Sequence, residues 1–169
     1  MPKLQITTGY FANGLPYARI GNGNKILVIF DGLDFSHKPP SGIELNLMSG
    51  LFKALAGDFT VYQVRRKALM PPGYTMQDMA DDYAVMVKNE FKGPADIMGN
   101  STGGPIALCF TVTYPELVNR LVLSSTGCRL REESRALMMK WAELARKGKW
   151  RAAAVLMGGT LSPDVFMRL

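Results

Sequence analysis

The amino-acid sequence predicts an α/β fold, in which a doubly wound and mostly parallel sheet is followed by a helical segment. Between residues 25 and 123, short apolar runs typical of strands alternate with longer segments of helical periodicity. Such alternation implies right-handed crossovers within a parallel sheet. Beyond Gly127 only helical spacing remains. We therefore expect a sheet domain of about six strands over residues 1–128 and a helical segment over 129–169.

The strands are predicted first from turn signals and apolar runs. Leu4–Thr8 and Leu15–Ile20 form a predicted pair joined through Asn13-Gly14, a typical hairpin turn. Lys25–Phe30 is apolar after its lysine, as expected of a strand buried on both faces of a parallel sheet. Three further strands are predicted at Thr60–Val64, Asp96–Met98 and Leu121–Leu123.

Three segments between these strands have helical periodicity. Thr75, followed three residues later by Asp78, predicts the start of the second helix. The third is predicted from Thr102 to Tyr114 and ends before Pro115. The first presents apolar residues at helical spacing, namely Ile43, Leu47, Leu51, Phe52 and Leu55.

The C-terminal segment is predicted to be helical throughout. The first helix has its apolar positions around Trp141. A third helix is predicted to begin near Ser162-Pro163, because serine suits the N-cap and proline the first turn. The helix between them is predicted from Trp150, Ala154, Val155 and Met157.

Composition narrows the class of protein. No apolar run reaches the roughly 18 residues that span a membrane, and the first residues lack the apolar core of a signal peptide. We expect a cytoplasmic protein without a membrane span. The two cysteines, Cys109 and Cys128, lack metal-ligand spacing. We expect no metal, and we expect Cys109 to be a small core residue.

The net charge of +6 raises the question of a nucleic-acid partner. The densest basic groups, Arg65-Arg66-Lys67 and Arg146–Arg151, have no nucleic-acid motif around them. We interpret both groups as solvated surface and expect no nucleic-acid partner.

The segment Gly99-Asn100-Ser101-Thr102-Gly103 matches the pattern G-x-S-x-G between a short strand and an apolar helix. This is the context of a nucleophile elbow, in which a serine sits on a tight, strained turn. Glycines two residues before and after the serine leave space for the neighbouring strand and helix. The alternative is an ordinary N-cap serine. We expect Ser101 to be a nucleophile.

A nucleophilic serine also needs donors for the developing oxyanion. The Thr102 N–H lies at the start of the predicted helix, where the helix dipole adds favourable charge. A second donor is expected from the loop that begins Asp31-Gly32-Leu33. Gly32 would allow the backbone to approach closely, and the Leu33 N–H would donate.

On these residues the chain resembles the α/β-hydrolase family. The segment Lys147–Ala153 is also similar to helices of the cap that members insert after the sixth strand. Four stretches carry the resemblance: Ile26–Gly32, Pro71–Asp82, Ile97–Gly104 and Tyr114–Leu123.

The resemblance implies an eight-stranded sheet, a Ser-His-acid triad, no cofactor, and a small-molecule ester or related acyl substrate. Two departures accompany it. Asp31 stands where many members have histidine, so its carboxylate is expected to point away from the oxyanion or to be paired. Arg65–Met70 replaces the usual Gly-x-Gly turn, so this loop is expected to differ.

The remaining triad residues are not evident. His37 is the only histidine and precedes Ser101 in the chain, contrary to the family's order. We interpret His37, Asp31 and Asp34 as loop residues. The acid and the general base are expected outside these 169 residues, in a protein truncated within its cap.

Two alternatives remain. One is a non-catalytic binding or assembly module of the same fold. The other, an enzyme with an aspartate nucleophile, is disfavoured because the elbow holds serine. The strand Leu121–Leu123 is expected to be an open edge that permits self-association.

Overall fold

The computed structural model describes residues 5–34, 36–149, 151–153 and 155–156. The chain divides into two compact units, Met1–Cys128 and Arg129–Leu169. The first unit comprises, in chain order, β1 (Ile6–Tyr10), β2 (Pro16–Ile20), β3 (Lys25–Phe30), α1 (Gly42–Phe52), β4 (Phe59–Val64), α2 (Met76–Glu90), β5 (Ala95–Asn100), α3 (Gly103–Thr113), a 3-10 turn (Pro115–Leu117) and β6 (Val118–Ser124).

The strands form one six-stranded sheet in the order β1-β2-β4-β3-β5-β6. The strands β4, β3, β5 and β6 are parallel, whereas β1 and β2 are antiparallel additions at one side. The predicted α/β fold is thus confirmed. Because the last four strands run the same way, the loops at their carboxyl ends share one edge of the sheet.

Strand β3 contributes side chains to the buried clusters on both faces of the sheet. Val28 and Phe30 belong to one buried cluster, together with residues of α2 and α3. Leu27 and Ile29 belong to the other, together with Met48 of α1. Side chains alternate along a strand, so an entirely apolar run fills both clusters at once.

Helix α2 begins as the sequence predicts. The Thr75 hydroxyl accepts from the Asp78 N–H at 3.2 Å, and the Asp78 carboxylate accepts from the Thr75 N–H at 2.7 Å. This reciprocal capping box satisfies two backbone donors that have no partner within the helix. Helix α2 begins at Met76, the residue after the cap.

Helix α1 forms where the sequence predicts a helix, but most of the apolar residues at helical spacing are exposed. Ile43, Leu47 and Leu51 are 87%, 66% and 67% exposed, and Met48 is the buried residue of this helix. Helix α1 is apolar on more than one side, and periodicity alone does not identify the side that packs on the sheet.

The Cys109 prediction also needs correction, because this residue is only half-buried. Its thiol lies 3.1 Å from Oε1 of Gln77, to which it donates across the α2–α3 contact. Cys109 therefore packs against the buried cluster on one side and meets a polar side chain of α2 on the other.

The second unit contains α4 (Glu132–Arg146), in which Trp141 is buried. The helix start predicted at Ser162-Pro163, and the apolar positions Trp150, Ala154 and Met157, lie outside the described residues. Among the helices of the described ranges, none is long and apolar enough to cross a membrane.

Candidate active site

Strand register brings three loops together at the carboxyl edge of the sheet. Phe30, the last residue of β3, pairs with Val64 at the end of β4 and with Gly99 near the end of β5. Asn100 pairs in turn with Ser124, the last residue of β6. The loops that begin at residues 31, 65 and 101 therefore leave neighbouring strands at one level.

Ser101 occupies a sharp turn between β5 and α3. Its backbone has φ of +50°, in the left-handed region that a serine seldom adopts. The Ser101 N–H donates to the Ser124 carbonyl at 2.9 Å, and the Ser101 carbonyl accepts from the Gly104 N–H at 3.0 Å. These two hydrogen bonds hold the turn, and the residue itself is exposed.

Close packing explains the glycines around Ser101. A Cβ at Gly103 would lie 2.0 Å from the Phe30 carbonyl oxygen, and one at Gly99 would lie 2.6 Å from the Cα of Gly104. These distances are far below van der Waals contact. Any side chain at either position would push α3 away from the strands that hold the turn.

The two N–H groups expected at the oxyanion are both available. Across the residues that the structure describes, neither the Leu33 N–H nor the Thr102 N–H has a hydrogen-bond partner. Gly32 lies against the elbow, since a Cβ at Gly32 would be 3.4 Å from the Cβ of Ser101. The elbow and the Asp31–Leu33 loop are therefore neighbours, with two backbone donors free.

Asp31 is paired, as its position next to an expected oxyanion requires. One carboxylate oxygen accepts from the Gly32 N–H at 2.8 Å. The other accepts from Nε2 of Gln63 at 2.5 Å and from Nε of Arg65 at 3.3 Å. Its negative charge is thus balanced by Arg65, and the turn into Gly32 is fixed.

The interpretation of Arg65 as solvated surface is wrong, because its side chain is only 6% exposed. The guanidinium forms ion pairs with Asp31, with Asp34 and with Glu44 at the start of α1. It also donates to the Lys38 carbonyl at 2.9 Å. One buried cation, at the end of β4, therefore binds four positions of the chain between residues 31 and 44.

The interpretation as solvated surface is wrong for Arg66 and Lys67 as well, because both are half-buried. Arg66 donates to the Thr102 hydroxyl at 2.8 Å and to the Gly32 carbonyl at 3.4 Å. Lys67 pairs with Asp82 of α2 at 2.7 Å. The signal that could have revealed these residues is their position directly after a buried strand of the parallel sheet.

The hydrogen bonds of His37 join it to its own loop and to the segment after β4. The backbone N–H of His37 donates to the Asp34 carboxylate at 2.9 Å, and the ring nitrogen Nδ1 lies 3.4 Å from the Arg66 carbonyl oxygen. Within the described ranges no side chain, including that of His37, hydrogen-bonds the Ser101 hydroxyl. The structure does not join His37 to the elbow.

A cavity of about 480 Å³ lies at the opposite edge of the sheet, lined by residues such as Lys25, Asp96 and Arg120. It is remote from Ser101, because these residues stand near the amino ends of their strands. No cluster of three potential metal ligands occurs among the residues with described positions.

Comparison with known sequences places the chain among hydrolases. The family model described as serine aminopeptidase, S33, matches residues 72–164. A protein of Serratia proteamaculans named "Putative carbamate hydrolase RutD" is 37% identical over 59 residues, which cover 35% of this chain and 22% of that protein. The protein of the same name from Yersinia enterocolitica is 34% identical over 58 residues, covering 34% and 21%.

Solved structures share the fold at low sequence identity. The α/β hydrolase MGS-M2 from a deep-sea metagenome library has a TM-score of 0.71 and 17% identity, over 91% of this chain and 59% of that chain. An α/β hydrolase from Sphaerobacter thermophilus has a TM-score of 0.65 and 19% identity, over 96% and 64%. The chain thus spans less than two thirds of the length of these relatives.

Proposed function

Because the chain belongs to the serine aminopeptidase S33 family of α/β-hydrolases, we propose that it carries the nucleophile and oxyanion hole of a serine hydrolase. Ser101 is the nucleophile, the Thr102 and Leu33 N–H groups bind the oxyanion, and Gly32 permits the close approach of the loop. The second unit, from Arg129 onward, begins a helical cap.

One observation carries this proposal, namely the left-handed backbone of Ser101 next to two free N–H groups. Strain at an exposed serine persists only where the surrounding structure enforces it. Here the Ser124 carbonyl and the contacts of Gly99 and Gly103 enforce it. An N-cap serine would need none of this, and its hydroxyl would accept from the helix backbone instead.

In the proposed reaction, the Ser101 hydroxyl oxygen attacks the substrate carbonyl carbon while a general base takes its proton. The carbonyl oxygen gains the negative charge and is bound by Thr102 and Leu33. Collapse of this intermediate breaks the bond to the leaving group, which receives the proton. Water then hydrolyses the acyl-enzyme, releasing the acid and restoring Ser101.

The general base and the triad acid are proposed to lie outside these 169 residues, since the contacts of His37 direct it elsewhere. The substrate is an ester or a related acyl compound. Amides and carbamates are included in this class because the matched family is described as aminopeptidases and two relatives are named as carbamate hydrolases.

The experiment is treatment of this chain with a fluorophosphonate probe in the presence of imidazole, which stands in for the general base outside these residues, followed by intact mass measurement. We expect a single adduct that is lost in Ser101→Ala. Ser125→Ala is the matched control, because Ser125 is also exposed and has φ of +49°. Labelling that survives Ser101→Ala, or no labelling of the unmodified chain, would contradict the proposal and favour a non-catalytic module.

A further inference from the structure

We propose that Arg66 is a specificity-determining residue that binds a carboxylate on the substrate, close to the scissile carbonyl. This inference rests on the proposed function of Ser101 and names the substrate class, namely anionic acyl compounds. It comes from the contacts of one half-buried guanidinium.

Arg66 contacts the two segments that flank the proposed oxyanion hole. Arg66 donates to the Thr102 hydroxyl at 2.8 Å and to the Gly32 carbonyl at 3.4 Å. Thr102 directly follows the proposed nucleophile, and Gly32 directly precedes the second oxyanion donor. The guanidinium therefore lies between the two segments that would bind the reacting carbonyl.

The positive charge of Arg66 is not balanced by a neighbouring carboxylate in the described part of the chain. Among the residues described, no carboxylate forms an ion pair with Arg66. Its neighbour Arg65 has three such partners, and Lys67 has Asp82. Of these three consecutive cations, Arg66 alone keeps an uncompensated positive charge, and it does so beside the elbow.

The Arg66 guanidinium has the donor capacity to bind a carboxylate. A guanidinium has five N–H groups arranged to bind a carboxylate through two parallel hydrogen bonds. The two protein acceptors of Arg66 are neutral oxygens, so they position the group without neutralising it. A substrate carboxylate would supply the missing charge and occupy remaining donors.

A purely structural role for Arg66 makes a different prediction. If Arg66 only joined Gly32 to Thr102, its loss would slow reaction with every substrate by the same factor. If it binds a substrate carboxylate, its loss removes the preference for charged over neutral substrates. The ratio of the two rates therefore separates the two roles.

The experiment compares two fluorophosphonate probes of equal length, one ending in a carboxylate and the other in a carboxamide. Rates of Ser101 labelling are measured, with the same added imidazole, for the unmodified chain, Arg66→Gln and Arg135→Gln. Arg135 is an exposed arginine of α4 and controls for the change in net charge. We expect a preference for the carboxylate probe of about 10- to 100-fold, lost in Arg66→Gln and kept in Arg135→Gln.

Equal rates for the two probes, or an equal fall of both rates in Arg66→Gln, would overturn the inference. If neither probe labels Ser101, the proposed function fails. The carboxylate-binding role of Arg66 is then tested by a binding measurement. Monomethyl succinate is then titrated against Ser101→Ala with and without Arg66→Gln. Binding weakened at least tenfold by Arg66→Gln supports the inference, whereas equal or undetectable binding overturns it.

Discussion

The Arg65 guanidinium and the Asp31 carboxylate form a buried ion pair, with Nε 3.3 Å from Oδ2 and side chains only 6% and 12% exposed. The other carboxylate oxygen of Asp31 accepts a hydrogen bond from the Gly32 N–H. The pair thus joins the end of β4 to the loop that carries a proposed oxyanion donor.

Arg65→Met is expected to lower the free energy of unfolding by about 3 kcal/mol, because it leaves Asp31 buried without its countercharge. Urea denaturation measures this value. Lys147→Met is the control, since its ion pair with Glu143 is exposed on both sides and should contribute little. Equal stability of the two variants would contradict the role assigned to Arg65.

Gly103→Ala is expected to destabilise the chain by about 3 kcal/mol, because its Cβ would overlap the Phe30 carbonyl oxygen. Gly50→Ala tests the same change in α1, where nothing lies within contact of the added Cβ. We expect that variant to be more stable by about 0.5–1 kcal/mol, from the helix propensity of alanine. Thermal unfolding of both would show opposite shifts of Tm.

Ser101→Gly is expected to be more stable than Ser101→Ala by about 1 kcal/mol, because only glycine adopts the left-handed backbone without cost. Both variants lack the hydroxyl, so it does not contribute to their difference in urea denaturation, which combines backbone strain with the opposing entropy of the unfolded chain. If alanine is more stable than glycine at this position by about 0.4–1 kcal/mol, as unfolded-state entropy alone predicts, the turn is not strained.

Asp34 is expected to make stability depend on pH in the acid range. Burial raises the pKa of Asp34, but hydrogen bonds from Ser36 and the charge of Arg65 outweigh it and hold the pKa below its ordinary value of 3.8. Asp34 therefore stabilises the fold above that value and loses its contribution as pH falls through the lower folded-state pKa. In urea denaturation, Asp34→Asn should show lower stability at pH 7 and a smaller decline toward pH 2.

Val122→Lys is expected to reduce self-association. In the described part of the chain β6 is an edge strand, on which Val122 is 50% and Leu123 45% exposed. A lysine on an edge strand opposes pairing with a second copy. Light scattering should give a smaller average mass for this variant than for Val112→Lys, which places the same charge on the exposed face of α3. Equal masses would exclude β6 as the contact.

Local features of this chain follow from the sequence because neighbouring residues cause them. The capping box of α2 needs only Thr75 and Asp78, three residues apart. The turn at Ser101 is signalled by glycines within the same pentapeptide. The alternation of strands and helices likewise predicts the parallel sheet, and with it the edge at which Ser101 lies.

Tertiary structure decides the features that depend on contacts between distant segments. The spacing of apolar residues such as Ile43 and Leu47 predicts helix α1. It does not show that Met48 is the residue of this helix that is buried against the sheet. Arg65 and Arg66 resemble solvated cations in sequence. The register that pairs Phe30 with Val64 places them beside the Asp31–Leu33 loop, more than 30 residues earlier in the chain. Sequence alone thus predicts the tight turn at Ser101, whereas the charges around that turn are set by which strands lie side by side.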